Sequence, residues 1–383
     1  MKFMKNWSLK ATRRTLLASA SLLVLLGANS SAIAGDLEYG KVGQPVHLVV
    51  GYQPYYTQSW SGVIMSGKKF YQKYLPKGST VEFSLGLQGS VIVNAMLAGK
   101  QHIGYKGDMP AIVATTKQEV ADIRIVAVLG VGMDQCNIFL ARADAPKFAN
   151  QKEAVQWLNG KQVAVPKGSC TDRFAQEVFK QEKVQPAAYL NQNIEVITSG
   201  FKAGKLDAAV IWEPTASRLV QEGLAKRIAS GTVVNEKDAG YLAMRYDLIS
   251  KRPDVVKAWL NAELDAQLFL ADSKNAQEVT RMAKEQTTGF SEKVLWSSMY
   301  GQNPTEVGGV PVRSLLPFAI TPEVMKSIDT STTFLHSLKS INVARLRPDA
   351  FMPEFAEAVL KERKLSSPIG SVKALPDSEY KGK

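Results

Sequence analysis

The sequence predicts an α/β fold made of two similar lobes that face each other across a cleft. Two segments repeat one plan: a helix, a Gly-Lys turn, a short apolar strand and a loop that carries an acid. Asp108 comes eight residues after Lys100, and Glu213 comes eight residues after Lys205. Helical and strand patterns alternate along most of the remaining chain, which is typical of mainly parallel sheets. Open sheets bind ligands at the carboxyl ends of their strands, so both lobes would offer loops to one space. The alternative is a chance similarity of two turns.

The first 34 residues have the pattern of a secretory signal peptide. Five basic residues precede the apolar run 16–27, and the small residues 31–34 end in an A-x-A pattern at Ala34. We therefore predict export, with cleavage near Ala34. Arg13-Arg14 leaves both the general secretory route and the twin-arginine route open. The apolar run is shorter than the ~20 residues that span a bilayer.

The charge of the chain argues against nucleic-acid binding. The formal net charge of +12 falls to +7 without the signal peptide, which holds five basic residues and no acid. The remaining excess is spread along the chain, with no block of like charges and no basic run interleaved with aromatic residues. A modest basic excess of this kind favours small acidic partners. No later apolar run approaches membrane-spanning length.

The sequence carries none of the common motifs of catalysis or cofactor binding. His47, His102 and His336 are scattered, and with two cysteines they provide none of the close ligand spacings of a metal site. No G-x-G-x-x-G or phosphate-binding loop is found, and no serine or cysteine lies in a nucleophile elbow. We therefore expect no metal, no cofactor and no enzymatic activity. A general acid–base pair built from two carboxylates is the open alternative.

Export changes the interpretation of the two cysteines. In an oxidising compartment Cys136 and Cys170 can pair. The bond would close a loop of about 35 residues, worth roughly 3–4 kcal/mol in the chain-entropy model. Two buried free thiols are the alternative.

Strand and helix patterns follow one another from Pro45 onwards. Strands are predicted at 46–50, 81–85, 103–105, 123–129, 136–141, 161–165, 195–197, 208–211 and 240–246. Helices are predicted at 63–74, from Ser90, after Pro110, at 151–158, from Cys170 to about 181, at 255–271 and at 276–284. The segment 300–322 is rich in Gly and Pro and interrupts the pattern, and long loops of this kind are often functional.

These patterns divide the chain into a signal peptide, a discontinuous lobe and an inserted lobe. The predicted boundaries are 1–34 for the signal peptide, 35–131 and 250–365 for lobe I, 132–249 for lobe II, and 366–383 for a flexible tail. The glycine-rich sequence 130–134 is the predicted crossing into lobe II.

Three predicted helices begin at loops that would face the cleft, at Ser90, at Met109-Pro110 and at Ser169-Cys170-Thr171. A helix N-terminus presents free N–H groups and a positive dipole end, and it binds anions without a charged side chain. Routine caps and turns are the alternative for each of them. Several in both lobes together favour an anion-binding cleft.

The two repeated acids and an aromatic loop would shape the same space. Asp108 or Glu213 can receive a ligand ammonium, hold Lys106 or an arginine, or accept hydrogen bonds within its own loop; these alternatives stay open. Several aromatic residues are candidates for apolar walls around an organic group. They are Tyr52, Tyr55, Tyr56, Trp60 and Trp212.

The assembled motifs resemble the periplasmic substrate-binding proteins of the nitrate, sulfonate and taurine family of ABC importers. The resemblance covers roughly residues 45–270. It is carried by VVGYQ at 49–53, QGS at 88–90, GYKGDMP at 104–110, GKQVAVPKGS at 160–169 and the segment 203–214. Three features depart from the family pattern: Cys170 after the Gly-Ser, the aromatic first loop, and the segment 300–322.

The resemblance implies a type II periplasmic binding protein, with two lobes that close about a hinge on a small ligand. It implies delivery of that ligand to an ABC permease and its ATPase at the inner membrane, and we expect the chain to act as a monomer. The aromatic loop favours an organic anion, foremost a taurine-like or aromatic sulfonate, over nitrate. Nitrate, an aromatic carboxylate or a pyrimidine remain alternatives for the ligand. A distant alternative is an enzyme like the pyrimidine synthases of thiamin biosynthesis.

Ligand contacts are expected from loops of both lobes, by resemblance and from the aromatic pattern. The candidate residues are Gln53, Tyr55, Trp60, Gln88, Gly89, Ser90, Asp108, Ser169, Cys170, Thr171, Trp212 and Glu213.

Overall fold

The computed structural model describes residues 37–382, so the predicted signal peptide lies outside the described residues. Two β-sheets with helices on their faces make up this part of the chain, which confirms the predicted two-lobed α/β class. No helix within residues 37–382 is long and apolar enough to cross a membrane.

Seven strands form the sheet of the first lobe, in the order β12-β11-β4-β10-β3-β1-β2, and five form that of the second, in the order β7-β6-β8-β5-β9. The strands of the first sheet are β1 (His47–Tyr52), β2 (Thr80–Leu85), β3 (Ile103–Gly107), β4 (Ile123–Gly132), β10 (Asp238–Arg245), β11 (Val312–Leu316) and β12 (Gly370–Lys373). Those of the second are β5 (Ile138–Arg142), β6 (Gln162–Val165), β7 (Ala188–Asn191), β8 (Ala208–Ile211) and β9 (Ala225–Ser230).

Thirteen α-helices cover the faces of these sheets in the described chain. In order they are α1 (Trp60–Lys68), α2 (Gly89–Leu97), α3 (Asp108–Thr115), α4 (Gln151–Gln156), α5 (Cys170–Gln181), α6 (Ile194–Lys202), α7 (Thr215–Gln221), α8 (Tyr246–Lys251), α9 (Pro253–Ala271), α10 (Ala276–Glu285), α11 (Glu292–Met299), α12 (Pro322–Ser337) and α13 (Pro353–Glu362). The long helix α9 packs against α1 and α13, and its buried Trp259 stacks on Tyr71, with ring centroids 5.8 Å apart.

Most strands in each sheet run in one direction. The pairs β1–β2, β1–β3, β6–β7 and β6–β8 are parallel, whereas β10 and β5 lie antiparallel to both of their neighbours. The carboxyl ends of β1, β2 and β3 therefore meet at one edge, and those of β6, β7 and β8 at another. These edges carry the loops that form the candidate site.

The repeated Gly-Lys segments occupy equivalent places in the two sheets. Strand β3 lies between β1 and β10, and β8 lies between β6 and β5. Gly99 and Gly204 both have positive φ, at 72° and 65°. Each N–H bonds to the carbonyl three residues earlier, and the N–H of Lys100 or Lys205 bonds to the carbonyl five residues earlier. This is the Schellman arrangement that ends a helix at glycine, so the two segments share one local structure.

The structure differs from the sequence-based prediction in several segments: β7 and β9 were not predicted, α1 ends at Lys68 and not near residue 74, and three further differences concern the architecture. Strand β10 belongs to the first sheet, so the chain returns from the second lobe between β9 and β10, before residue 249. Part of the predicted tail 366–383 forms β12, which pairs with β11. Residues 195–197, predicted as a strand because of their β-branched side chains, lie in α6. There Asn193 accepts a hydrogen bond from the Val196 N–H and caps the helix, and local capping outweighs β propensity.

The segment 300–322 is a bridge between the two lobes. It contributes β11 to the first sheet, and the Gly308 carbonyl accepts a 2.7 Å hydrogen bond from Ser230 Oγ at the end of β9. Arg313 of β11 is fully buried and pairs with Asp134 in the crossing between β4 and β5. The Gly- and Pro-rich segment 300–322 therefore contributes one strand and also connects the two lobes.

Candidate functional site

The loops at the carboxyl ends of the strands enclose a cavity of about 250 Å³ between the lobes. The first lobe contributes the segments after β1, β2 and β3, and the second contributes the segments after β6 and β8. The lining residues are Gln53, Tyr56, Gln88, Gly89, Ser90, Val93, Asn94, Gly107, Asp108, Met109, Pro110, Val113, Pro166, Lys167, Gly168, Ser169, Cys170 and Trp212.

Helices α2, α3 and α5 all begin at this cavity. Their N-cap residues, Gln88, Gly107 and Ser169, have extended backbone, and in the described chain neither the Gln88 nor the Ser169 side chain accepts a hydrogen bond from a backbone N–H of its helix. The first N–H groups of a helix have no acceptor inside the helix. The ends of α2 and α5, one from each lobe, therefore present amide donors and positive dipole ends to one space, which suits an anion. At α3 the Met109 N–H already bonds to Asp108 and Pro110 has no N–H, so this helix end offers fewer free donors.

Close backbone packing brings α2 and α3 together. A Cβ atom on Gly89 would lie 2.3 Å from Cγ of Pro110, so only glycine permits this approach. In the second lobe, Gly168 has φ +77°, a left-handed conformation that turns the chain from β6 into α5. These two glycines position the helix ends around the cavity.

Asp108 joins the two lobes at the side of the cavity. Its Oδ1 accepts from the Met109 N–H at 2.8 Å, and its Oδ2 accepts from Ser331 Oγ at 3.1 Å and from Arg173 Nη2 at 3.5 Å. Arg173 belongs to α5 and also pairs with Glu236. Of the roles left open for this acid, the contacts show two: the pairing with an arginine and a hydrogen bond within its own loop. Lys106 is not its partner.

A second carboxylate lies behind the cavity wall. Tyr56 donates a 2.9 Å hydrogen bond to Oδ2 of Asp238, and the Cys136 N–H donates to Oδ1 at 3.4 Å. Burial, with a contribution from the negative charge of Asp108, raises the pKa of Asp238 to about 7. Burial also raises the pKa of Tyr56. The hydrogen bond to Asp238 holds the Tyr56 ring against the cavity.

The disulfide bond between Cys136 and Cys170 forms part of the wall, with Cα atoms 6.3 Å apart. It ties the crossing after β4 to the first residue of α5. Tyr56 and Trp212 pack against the two sulfur atoms in a small apolar cluster. An organic group in the cavity would therefore meet apolar surface beside the helix ends.

The structure places eight of the twelve candidate residues on the cavity wall. They are Gln53, Gln88, Gly89, Ser90, Asp108, Ser169, Cys170 and Trp212. Their roles in ligand binding stay predictions.

The other four candidates do not line this cavity. Trp60 is fully buried, and its Nε1 donates to the Pro54 carbonyl. Thr171 faces Ser169 through a 2.6 Å hydroxyl contact. Glu213 is fully buried beside Arg227 and Arg313 and accepts from the Ser217 N–H and hydroxyl. Tyr55 lines a neighbouring cavity.

Some lining residues were not among the candidates. Asn94 and Val93 extend the α2 wall one turn beyond Ser90, and Lys167 is an exposed lining residue whose ammonium lies over the ring of Tyr189. The helical spacing from Ser90 was a usable signal for Asn94, since residues four apart share a helix face. Tyr56 was one of five aromatic residues considered for the apolar wall, and no sequence pattern indicated its hydrogen bond to Asp238.

Lys106 is a fully buried lysine on β3, the strand that ends at the cavity. Its Nζ donates to the sulfur of Met96 at 2.9 Å. Because burial penalises the charged form, the pKa of Lys106 falls to about 7. Among residues 37–382, no cluster of His, Cys, Asp and Glu has the geometry to hold a metal ion.

The sequence pattern of one protein family matches residues 43–284, which is more than half of the chain. This chain belongs to the NMT1-like family. The expected family relationship is thus confirmed, and with it the type II binding-protein architecture.

Two curated relatives of this NMT1-like chain come from Escherichia coli strain K12. The taurine-binding periplasmic protein is 24% identical over 253 residues, covering 63% of this chain and 74% of the relative. The putative aliphatic sulfonates-binding protein is 26% identical over 294 residues, covering 75% and 84%. Both are binding proteins, and they support a solute-binding role at low identity.

Solved structures share the fold. The alkanesulfonate-binding protein SsuA from Xanthomonas axonopodis pv. citri, bound to MOPS, has a TM-score of 0.62 at 17% identity and covers 81% of this chain and 99% of its own. The nitrate-binding protein NrtA from Synechocystis PCC 6803 has a TM-score of 0.62 at 16% identity, with coverages of 85% and 90%. The desulfurization enzyme DSZB has a TM-score of 0.60 at 15% identity, covering 84% and 100%. The fold alone therefore does not separate binding proteins from enzymes.

Proposed function

We propose that this chain is the periplasmic solute-binding component of an ABC importer and captures a small organic sulfonate between its lobes. The observation that carries the proposal is the convergence of α2, α3 and α5, from both lobes, on one cavity. A sulfonate has three acceptor oxygens, and the free backbone N–H groups at the starts of α2 and α5 can donate to them from opposite lobes. The names of the taurine- and sulfonate-binding relatives support this ligand class.

The apolar wall supports an organic sulfonate over a bare inorganic anion. Tyr56, Trp212 and the disulfide give the cavity a side with few hydrogen-bonding groups. Nitrate would leave this surface without a partner. Aromatic carboxylates and pyrimidines are the alternatives that this wall also accommodates, and the binding panel includes both.

The proposal is tested by calorimetric titration of residues 35–383 with ethanesulfonate, taurine, benzenesulfonate, benzoate, nitrate and a pyrimidine. We expect the sulfonates to bind most tightly. A ligand at a hundred times its dissociation constant should add about 2.7 kcal/mol to the unfolding free energy. Tighter binding of benzoate, nitrate or the pyrimidine would change the ligand class, and no binding of any sulfonate would overturn it.

A charge inserted at the helix ends provides the matched variant. Ser90→Asp places a carboxylate in the first turn of α2 at the cavity, where it should repel an anion and weaken binding by about a hundredfold or more. Ser366→Asp adds the same charge at an exposed position outside the cavity lining and should leave affinity unchanged. Unchanged affinity in Ser90→Asp would show that the site is elsewhere, and an equal loss in both variants would show that the effect is not specific to this helix end.

Delivery to a permease needs its own test. Reconstituted vesicles that contain the cognate permease and ATPase should accumulate labelled sulfonate only when this protein is added. Release of sulfite from a bound sulfonate by the purified protein would instead favour an enzyme, and pyrimidine formation would favour the thiamin-related alternative.

A further inference from the structure

A second cavity, of about 380 Å³, adjoins the one formed by the three helix ends. Gln88 and Trp212 line both cavities, so the two spaces share a wall. We call this second space the distal cavity. Its lining residues are Tyr55, Leu87, Gln88, Ile194, Glu195, Thr198, Ser199, Trp212, Thr215, Arg218, Thr288 and Phe290.

Arg218 is the cation of the distal cavity. Its guanidinium lies over the ring of Phe290, 4.7 Å from the centroid, and its Nη2 donates to Thr198 Oγ1 at 3.3 Å. Its Nε is buried and has no hydrogen-bond partner among the described residues. The nearest carboxylate oxygen, on the exposed Glu222, lies 3.9 Å from that Nε. The guanidinium is therefore held in place by Phe290 and Thr198, and among the described residues no carboxylate lies within hydrogen-bond distance of it.

Aromatic rings face this cation from the other lobe. The rings of Tyr55 and Phe290 are 5.9 Å apart, and the Tyr55 hydroxyl lies 3.4 Å from Thr288 Oγ1. Trp212 continues the aromatic surface towards the first cavity. Glu195 contributes one carboxylate at an exposed position. These rings give the distal cavity an apolar wall, and the shared residues Gln88 and Trp212 connect it with the cavity at the helix N-termini.

We propose that the distal cavity holds the second acidic group of the ligand, so that the substrate class is a sulfonate with a carboxylate at its far end. The sulfonate would lie at the helix ends and the carboxylate would pair with Arg218, whose planar donors match carboxylate geometry. This inference rests on the proposed function, because it assumes that the first cavity binds the sulfonate.

A matched ligand pair tests it. Benzenesulfonate and 4-sulfobenzoate differ only by the carboxylate, and ethanesulfonate occupies the first cavity alone. We expect the wild-type protein to bind 4-sulfobenzoate about tenfold or more tightly than benzenesulfonate, as one hydrogen-bonded ion pair would provide. Calorimetric titration measures all three affinities.

Substitution of Arg218 separates recognition from a purely structural contact. Arg218→Gln should remove the preference for 4-sulfobenzoate and leave ethanesulfonate affinity within about threefold, whereas Arg218→Lys should keep part of the preference. Arg142→Gln, which removes a half-exposed arginine paired with Asp144, is the control and should change no affinity. Thermal unfolding of each variant confirms that it is folded.

Three results would overturn the inference. One is equal binding of the two aromatic ligands by the wild-type protein. Another is an equal loss for all three ligands in Arg218→Gln, which would assign Arg218 to interlobe packing. The third is a preference that survives in Arg218→Gln. In all three cases ethanesulfonate still binds to the wild-type protein, whereas its failure to bind, together with the other sulfonates, would instead reject the proposed function.

Discussion

At the scale of single residues, an acid such as Asp108 in an anion site can either bind an ammonium group of the ligand or hold protein groups in place. Its oxygens contact the Met109 N–H, Ser331 and Arg173, which are all protein groups. We infer that it holds Arg173 and aligns the two lobes, and that it is not the receptor for a ligand ammonium.

The prediction for Asp108→Asn is therefore a similar loss of affinity, about tenfold, for taurine and for ethanesulfonate, because both need the aligned lobes. Calorimetric titration of both ligands measures it. A loss confined to taurine, the ligand with the amine, would show that Asp108 contacts the ligand directly. Asp349→Asn, at a carboxylate 53% exposed beside Arg347, is the control and should change neither affinity.

Glu213 occupies the same position in the second repeat as Asp108 in the first, but we infer that it stabilises the folded protein. It is fully buried against Arg227, and Nη2 of Arg313 lies 3.8 Å away. Removing one partner of a buried ion pair leaves the other charge uncompensated, so Glu213→Ala should lower the unfolding free energy by about 3–5 kcal/mol. Urea unfolding measures this change.

The matched control is Glu362, whose pair with Lys257 is half-exposed. Glu362→Ala should cost at most about 1 kcal/mol, as exposed pairs contribute little. Similar losses in the two variants would contradict the assignment of Glu213 to a buried network.

At the scale of elements, the site depends on how closely α2 and α3 approach each other. Their contact is a glycine against a proline ring, and both helices begin at the cavity. A change that separates them should affect ligand binding more than folding, because the helix ends supply the donors.

Gly89→Ala tests this dependence. The added Cβ would lie 2.3 Å from Cγ and 2.8 Å from Cβ of Pro110, so one helix end must move. We expect at least about tenfold weaker sulfonate binding, since hydrogen bonds to an anion depend strongly on distance. Gly370→Ala is the control, because its Cβ would meet only Ala271 at 3.4 Å. Unchanged affinity in Gly89→Ala would remove α2 from the site.

At the scale of the whole molecule, buried ionisable groups predict an unusual pH dependence of stability. Burial raises the pKa of Asp238 from 3.8 to about 7 and that of Glu263 from 4.5 to about 7. Burial lowers the pKa of Lys106 from 10.5 to about 7. Asp238 also faces Asp108 and Arg173, whose charges act on it in opposite directions.

The sign follows from which state binds more protons. Below pH 7 the folded protein holds protons on Asp238 and Glu263 that the unfolded chain has released, so these two groups make stability fall as the pH rises towards 7. Above pH 7 the unfolded chain keeps the Lys106 proton that the folded protein has lost, so this group makes stability rise up to about pH 10.5. Together, these three groups should contribute least to the free energy of unfolding near neutral pH.

Urea unfolding between pH 5 and pH 9 measures this profile. Asp238→Asn should reduce the slope below pH 7 by about half, because Glu263 still titrates there, and Lys106→Met should flatten the part above pH 7. Each slope is about 1.4 kcal/mol per pH unit for one proton. A profile in Asp238→Asn that matches the wild type would show that Asp238 does not titrate as its burial implies.

Much of the architecture follows from local sequence. The Gly-Lys turns, the strands beside them and the helices after Gln88 and Ser169 were predictable, because glycine ends a helix at positive φ and apolar runs form buried strands. The repeated module predicted two lobes, and the family resemblance added the type II binding-protein form. Residues 195–197 were misassigned because a capping side chain two residues earlier decided the outcome.

The sequence by itself thus determined the fold class, the repeated module and most of the loops that enclose the cavity. Only the tertiary structure decided which acid faces that cavity. Asp108 and Glu213 occupy matching positions in the repeat, but Glu213 pairs with Arg227 and lies 3.8 Å from Arg313, one hundred residues further along the chain, in a buried network. Burial and charge pairing depend on residues far apart in the chain, and no local pattern encodes which of them will meet.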